Sequence, residues 1–236
     1  MRRASFRVFL IASLLILAPF LARSMGDATP PPEAVTPSPD PLATAPVVAV
    51  QPLGDVDPTL VRAAAERIGE TFAARVVVLP DRRLPESAFY SPRNRYRGER
   101  LLRWLEEGKP SGVSKILGLM SRDLSVTKGQ VYDWGVMGVA GLSRPAGVVS
   151  VHRLRGHHAS PSLVDRRVQQ VAVHELGHTF GLHHCPSPRC IMNDAKGGFR
   201  AVDRSSGEFC PDCRRRLRGL LREDLAGGRS AGNATL

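Results

Sequence analysis

The sequence predicts an α/β (α+β) domain, and three observations carry that expectation. From Val47 onward β-branched runs alternate with segments of helical periodicity, and the opening order is strand, helix, strand. Every histidine and cysteine is gathered late, between His152 and Cys213, so a small metal-stapled C-terminal part is expected on the same core. With 236 residues, 42% of them hydrophobic, the chain has room for one core and its tails. It carries no Gly-X-Y period, long heptad seam or repeat of about twenty to fifty residues.

The first 24 residues read as an export signal: Met1–Arg7 is basic, Val8–Ala22 is apolar, and Ala22-Arg23-Ser24 offers small residues for a signal peptidase. The apolar run is shorter than the roughly 20 residues of a membrane span, and Pro19 lies in it. An uncleaved anchor is the rival reading, whereas the absence of a nearby cysteine argues against a lipoprotein. Residues 25–46 form a Pro-rich linker, with Pro30, Pro31, Pro32, Pro37, Pro39 and Pro41 blocking helix. The net charge of +11 includes four arginines of the signal-like start; without them 29 basic residues face 22 acidic ones. The remainder is scattered except for Arg214, Arg215, Arg216, Arg218 and Arg222, read as the solvated face of an amphipathic helix. No nucleic-acid partner is expected.

The catalytic domain is expected over 47–226, with a flexible tail at 227–236. Val47–Val50 is a strand ended by Pro52 and Gly54. Leu60, Ala64, Ile68 and Phe72 share one helix face, and Arg75–Leu79 reads as a buried strand stopped by Pro80. A helix follows from Arg97 to Glu107, with Leu101, Leu102 and Leu105 on one side. Three apolar runs come next, Val113–Leu119, Val131–Ala140 and Ala146–Val151; the Gly-rich middle one is the best candidate for an edge strand. His152 falls on the last strand, and His157-His158 reads as a solvated loop. Val164–Gly181 is helical, with Ser162 and Asp165 as its capping pair. The Asn233-Ala234-Thr235 acceptor matters only in a eukaryotic secretory route.

On that helix lies His174-Glu175-Leu176-Gly177-His178. Residues four apart differ by about 40° around a helix axis, so both imidazoles leave the same face and can grip one zinc ion. His184, if the helix ran on, would lie about 9 Å further along and about 240° round from His178. Gly181 lets the helix break and the chain return. His183 is the rival third ligand; the His-x-x-Gly-x-x-His spacing ends at His184. Three neutral imidazoles leave zinc a position for water, which Glu175 can deprotonate as general base, so amide hydrolysis is the natural reaction. The four cysteines read either as two disulfides or, from Cys210-Pro211-Asp212-Cys213 beside a second pair, as a closed Cys₄ zinc site.

His174-Glu175-x-x-His178-x-x-Gly181-x-x-His184 is the metzincin signature. Cys185, Cys190, Met192, Cys210 and Cys213 then follow in a pattern that resembles the archaemetzincins. Weaker likenesses at Pro92–Tyr96, Ile116–Gly118 with Asp123, and Val149–Leu154 extend the resemblance over roughly 47–225. The resemblance implies a metzincin-like zinc peptidase with a twisted mixed sheet, a backing helix and an active-site helix. It implies a catalytic zinc on His174, His178 and His184, a structural zinc on Cys185, Cys190, Cys210 and Cys213, and Met192 as the Met-turn residue. No tyrosine follows Met192 by two positions, so no tyrosine role is assigned. The expected chain is an exported, periplasmic or secreted monomer acting on peptides or proteins, membrane-bound only if its N-terminal segment is kept. The alternatives are a catalytically weak, zinc-stapled binding protein, which a residue other than Glu175 would have favoured, and third a nucleic-acid-binding zinc module.

Overall fold

The computed structural model describes residues 45–156, 159–196 and 198–231. The export signal, nearly all of the linker, His157-His158 and the Asn233 acceptor lie outside them. In chain order the elements are β1 (Val47–Leu53), α1 (Pro58–Phe72), β2 (Arg75–Val78), β3 (Phe89–Tyr90), β4 (Arg95–Arg97), α2 (Gly98–Glu107), β5 (Lys115–Met120), β6 (Leu124–Lys128), β7 (Val131–Gly135), β8 (Gly138–Ala140), β9 (Ala146–Ser150), α3 (Val151–Arg155), α4 (Pro161–Thr179), α5 (Phe199–Arg204) and α6 (Pro211–Ala231).

The alternation of β1 sorts its side chains onto two faces. Val48 and Val50 join the core built with α1 and α4, while Ala49 and Leu53 join the one built with α2. The sheet has the order β2-β1-β5-β9-β8; β2, β1, β5 and β9 run parallel, and β8 is antiparallel to β9. β1 runs through Pro52, beyond the expected stop. The β1–β2 register ends at Val50↔Val78, so the missing N–H of Pro52 costs no ladder bond there. β2 departs from the buried strand that its valines suggest: it is the sheet's edge, and Val78 is 49% exposed.

The expected run Val131–Ala140 divides into β7 and β8. Each ends a different sheet, because β3, β4, β6 and β7 form a second, four-stranded one. Asp123 fastens the two sheets together, accepting hydrogen bonds from Arg95 of β4 (2.8 Å) and Arg153 of α3. Arg95 also reaches Asp133 of β7 at 2.7 Å. Arg95, Asp123 and Arg153 come from the three weakly similar segments and are gathered at one junction. His152 is an exposed residue of α3, not part of a strand, because the chain turns helical immediately after Ser150 caps Arg153 N–H.

α1 starts at Asp57, whose carboxylate accepts from Thr59 N–H, and it buries Leu60, Ala64, Ile68 and Phe72 as its spacing requires. α4 is capped two residues before the expected position: Ser160 Oγ accepts from Leu163 N–H and Pro161 takes the first helical position. Phe72 packs tilted against Phe180 (ring centroids 5.1 Å apart) and edge-on against Phe209 (6.0 Å), which ties α1 to the end of α4 and the approach to α6. Leu217 of α6 is buried while Arg214, Arg215, Arg216, Arg218 and Arg222 are exposed, the amphipathic helix expected. α6 continues to Ala231, into the stretch expected to be tail. No helix among the described residues is long and apolar enough to cross a membrane.

Candidate active site

α4 delivers His174 and His178 to one face, one turn apart, and then stops. Gly181 has φ +101°, a conformation that side chains rarely adopt, and Leu182 N–H closes the turn on Gly177 O at 2.9 Å. The reversed chain brings His184 back, so the ligand nitrogens of His174, His178 and His184 all lie within 4.8 Å of one another. His183 is exposed and is not one of the converging residues.

The other ring nitrogens are accounted for. His174 Nδ1–H donates to Ile191 O and His178 Nδ1–H to Leu182 O, each at 2.7 Å, which leaves both Nε2 lone pairs directed at the shared point. Those two Nε2 atoms are 3.1 Å apart, close to the edge of about 3.3 Å that a tetrahedron with metal–nitrogen bonds of about 2.05 Å requires. Burial, then the neighbouring His178 charge, pushes His174 down to about 3, and burial also lowers His178. Both imidazoles are thus neutral at pH 7, the form in which a ring nitrogen can bind a metal. The donor set fits zinc in an open site.

Glu175 is 6% exposed, and burial alone pushes its carboxyl up to about 8, while a zinc cation held by the neighbouring imidazoles would favour the carboxylate and bring it back down. It is wedged against the edge strand: a Cβ on Gly138 of β8 would sit 2.5 Å from Glu175 Oε1. Below the ligands, Met192 is fully buried, and a Cβ on Gly177 would meet its Sδ at 2.6 Å. Met192 is therefore packed tightly under the turn between the two helical ligands. A cleft of about 280 Å³ opens over the histidines, walled by β8 and the segment from Cys190 to Lys196 and reaching Gln170 and Ser205 at α4 and α5.

The four cysteines form a second cluster, their sulfurs within 4.8 Å of one another and none in a disulfide. Cys185 Sγ and Cys210 Sγ are 3.8 Å apart, which is the edge of a zinc–thiolate tetrahedron with bonds of about 2.3 Å and far beyond a disulfide of about 2.05 Å. Burial pushes the Cys190 and Cys213 thiols up, whereas the Cys213 N–H at the start of α6 brings Cys210 down to about 7. The two clusters share a loop. Cys185 N–H donates to Met192 O (2.8 Å), and Asn193 Nδ2 donates to Cys185 O (2.9 Å).

Sequence reasoning missed the carbonyls of Ile191 and Leu182, the seat at Gly138, and Asn193. The carbonyls carry no residue-type signal, and Gly138 lies far upstream of the motif. Only the conspicuous lack of side chains in the Gly-rich run hinted at a close approach.

The sequence profile of peptidase family M54 matches residues 75–219. The archaemetzincin of Thermococcus kodakarensis is 35% identical over 182 residues, 72% of this chain and 95% of that protein. The crystal structure of the Methanopyrus kandleri archaemetzincin superposes with a TM-score of 0.65 at 32% identity, covering 76% of this chain and 97% of that one. The Archaeoglobus fulgidus archaemetzincin, solved in complex with malonate, gives 0.61 at 30% identity over 72% of this chain and 99% of the other. With its histidine triad and cysteine cluster in a fold shared with these enzymes, the chain belongs to peptidase family M54, the archaemetzincins, and is a zinc-dependent metallopeptidase.

Proposed function

We propose that the enzyme hydrolyses peptide bonds with His174, His178 and His184 holding the catalytic zinc and Glu175 as general base, and that Cys185, Cys190, Cys210 and Cys213 hold a second, structural zinc. The observation that carries this reading is the buried Glu175 carboxyl beside three convergent imidazoles at the head of an open cleft. Zinc held there supplies a Lewis acid that acidifies water and polarises the scissile carbonyl. Glu175 takes the proton from the attacking water and returns it to the leaving nitrogen. Gly138 keeps the carboxylate in its seat, and Ile191 O and Leu182 O keep the rings in the tautomer that leaves Nε2 free.

β8 is an edge strand whose residues line the cleft, so an extended peptide has backbone groups to pair with. Met192 serves as the Met-turn residue on the strength of its packing under Gly177. The binding-protein reading has no use for a buried carboxylate in this position and is not favoured. The zinc-loaded full-length chain should cleave members of a mixed peptide library and stop on chelation. A chain with zinc on the histidines that cuts none of them contradicts the proposal.

The basic, apolar and small-residue succession over 1–24 supports export into the periplasm or medium. Residues 1–46 fused to a reporter that works only outside the cytosol test it. A cytosolic reporter contradicts export, and a membrane-bound product replaces a soluble enzyme with an anchored one.

A further inference from the structure

We propose that Gln170 selects the substrate side chain lying next to the scissile bond, and that the preferred side chain has an apolar body ending in an uncharged hydrogen-bond donor, tyrosine foremost. The inference deepens the peptidase reading and rests on it. Gln170 precedes His174 by one turn of α4, a distance of about 6 Å along the helix, and it lines the same cleft as the histidines and Glu175. It is 9% exposed, and its Oε1 is buried with no hydrogen-bond partner. Native interiors leave few such oxygens unpaired, because a buried acceptor without a donor has lost its water and gained nothing.

Nothing fixes this oxygen where it is. The terminal torsion of glutamine is broad and roughly two-fold, and the end of the side chain has room, since a Cβ on the facing Gly207 would stand 3.5 Å from Gln170 Nε2. A donor entering the cleft is therefore met by a carboxamide that can turn to it. The walls on the way are apolar, with Val171 on α4, Ala195, and Val202 on α5. An apolar body and one polar group at the end are how pockets fix a ligand's orientation. A charged tip is disfavoured because an unpaired charge would be buried beside Gln170; the cleft's exposed Lys128 and Lys196 are offset by Asp194 and favour neither sign. A phenol has the length to span one helical turn from the metal, carries an apolar ring, and donates one neutral hydrogen bond.

The test uses the full-length, zinc-loaded chain and matched peptides that differ only by Tyr or Phe on either side of the cleaved bond. The expected kcat/KM is about 3–10-fold higher for tyrosine, the effect of one neutral hydrogen bond. Gln170→Leu should bring the ratio to one or below, and Gln170→Glu, which keeps its acceptor oxygens, should preserve the preference. Equal rates in the wild type, or a tyrosine preference that survives Gln170→Leu, overturn the proposal, and the wild-type ratio decides even if the leucine variant does not fold. Failure of the peptidase reading looks different: no peptide is cut. Calorimetric binding of tyrosine hydroxamate against phenylalanine hydroxamate then carries the test, with at least about threefold tighter binding of the phenol expected and equal affinities overturning the inference.

Discussion

The histidine and cysteine clusters differ in the property that decides what each can do. His184 and Cys185 are consecutive, yet the first belongs to a group that is half-buried or exposed beside a cleft, the second to a group with Cys190 and Cys213 buried. Three imidazoles leave a metal an open position for chemistry; four thiolates close it and hold the chain. The shared loop makes the closed centre a support for the open one. Its Cys185 end carries His184, and its far end supplies the Ile191 carbonyl that orients His174 and the Met192 side chain beneath.

The largest effect should come from breaking the closed centre. Cys210→Ser should cost several kcal/mol of stability, more than His184→Ala does, because structural zinc sites contribute directly to folding. Thermal melts of the two variants check the order, and equal melting temperatures would show the two centres to be alike. Cys210→Ser should also weaken cobalt or zinc binding at the histidines, through the loop, by about tenfold or more. Next in size, Gly138→Ala should lower kcat by about 10–100-fold with the zinc content unchanged, since the added methyl meets Glu175 first. Elemental analysis with a steady-state assay separates this from metal loss.

A smaller effect is kinetic. A mild chelator should empty the histidine centre before the cysteine centre, followed by thiol accessibility and zinc release. Simultaneous loss would break the distinction between open and closed.

The smallest effect concerns acid. Burial raises the Asp123 carboxyl, but the Arg153 hydrogen bond and charge, with Arg95, lower it further, so its folded pKa lies below the ordinary value. Its contribution is fully present above the unfolded value of about 3.9 and is lost as pH falls through the lower folded one. Asp123→Asn should therefore flatten the stability loss below about pH 4 and leave both metal centres loaded at neutral pH. Urea melts across that range check it, and an unchanged slope would contradict it.

The motif was legible because its chemistry is local. His174, Glu175 and His178 share one helix face, and Gly181 announces the turn that returns His184. The rest was set by distant neighbours. The second sheet was not legible because β3 and β4 are two and three residues long, too short for any periodicity. Val76-Val77-Val78 looks the same in sequence whether a strand is central or at an edge, and among the described residues no strand lies beyond it. Ser160 won over Ser162 as cap because Pro161 is pre-set for the first helical turn. Gly138 and the orienting carbonyls depend on which backbone arrives beside the ligands, and residue type does not encode that.

Glu175→Gln tests the central claim most directly. The amide has nearly the shape of the carboxylate and leaves the three imidazoles, their carbonyl partners and Gly138 in place, but it cannot take the proton from water. Zinc content should equal that of the wild type while peptide hydrolysis falls by about 10²–10⁴-fold, whereas His178→Ala should lose metal and activity together. A Glu175→Gln enzyme as active as the wild type would contradict the account.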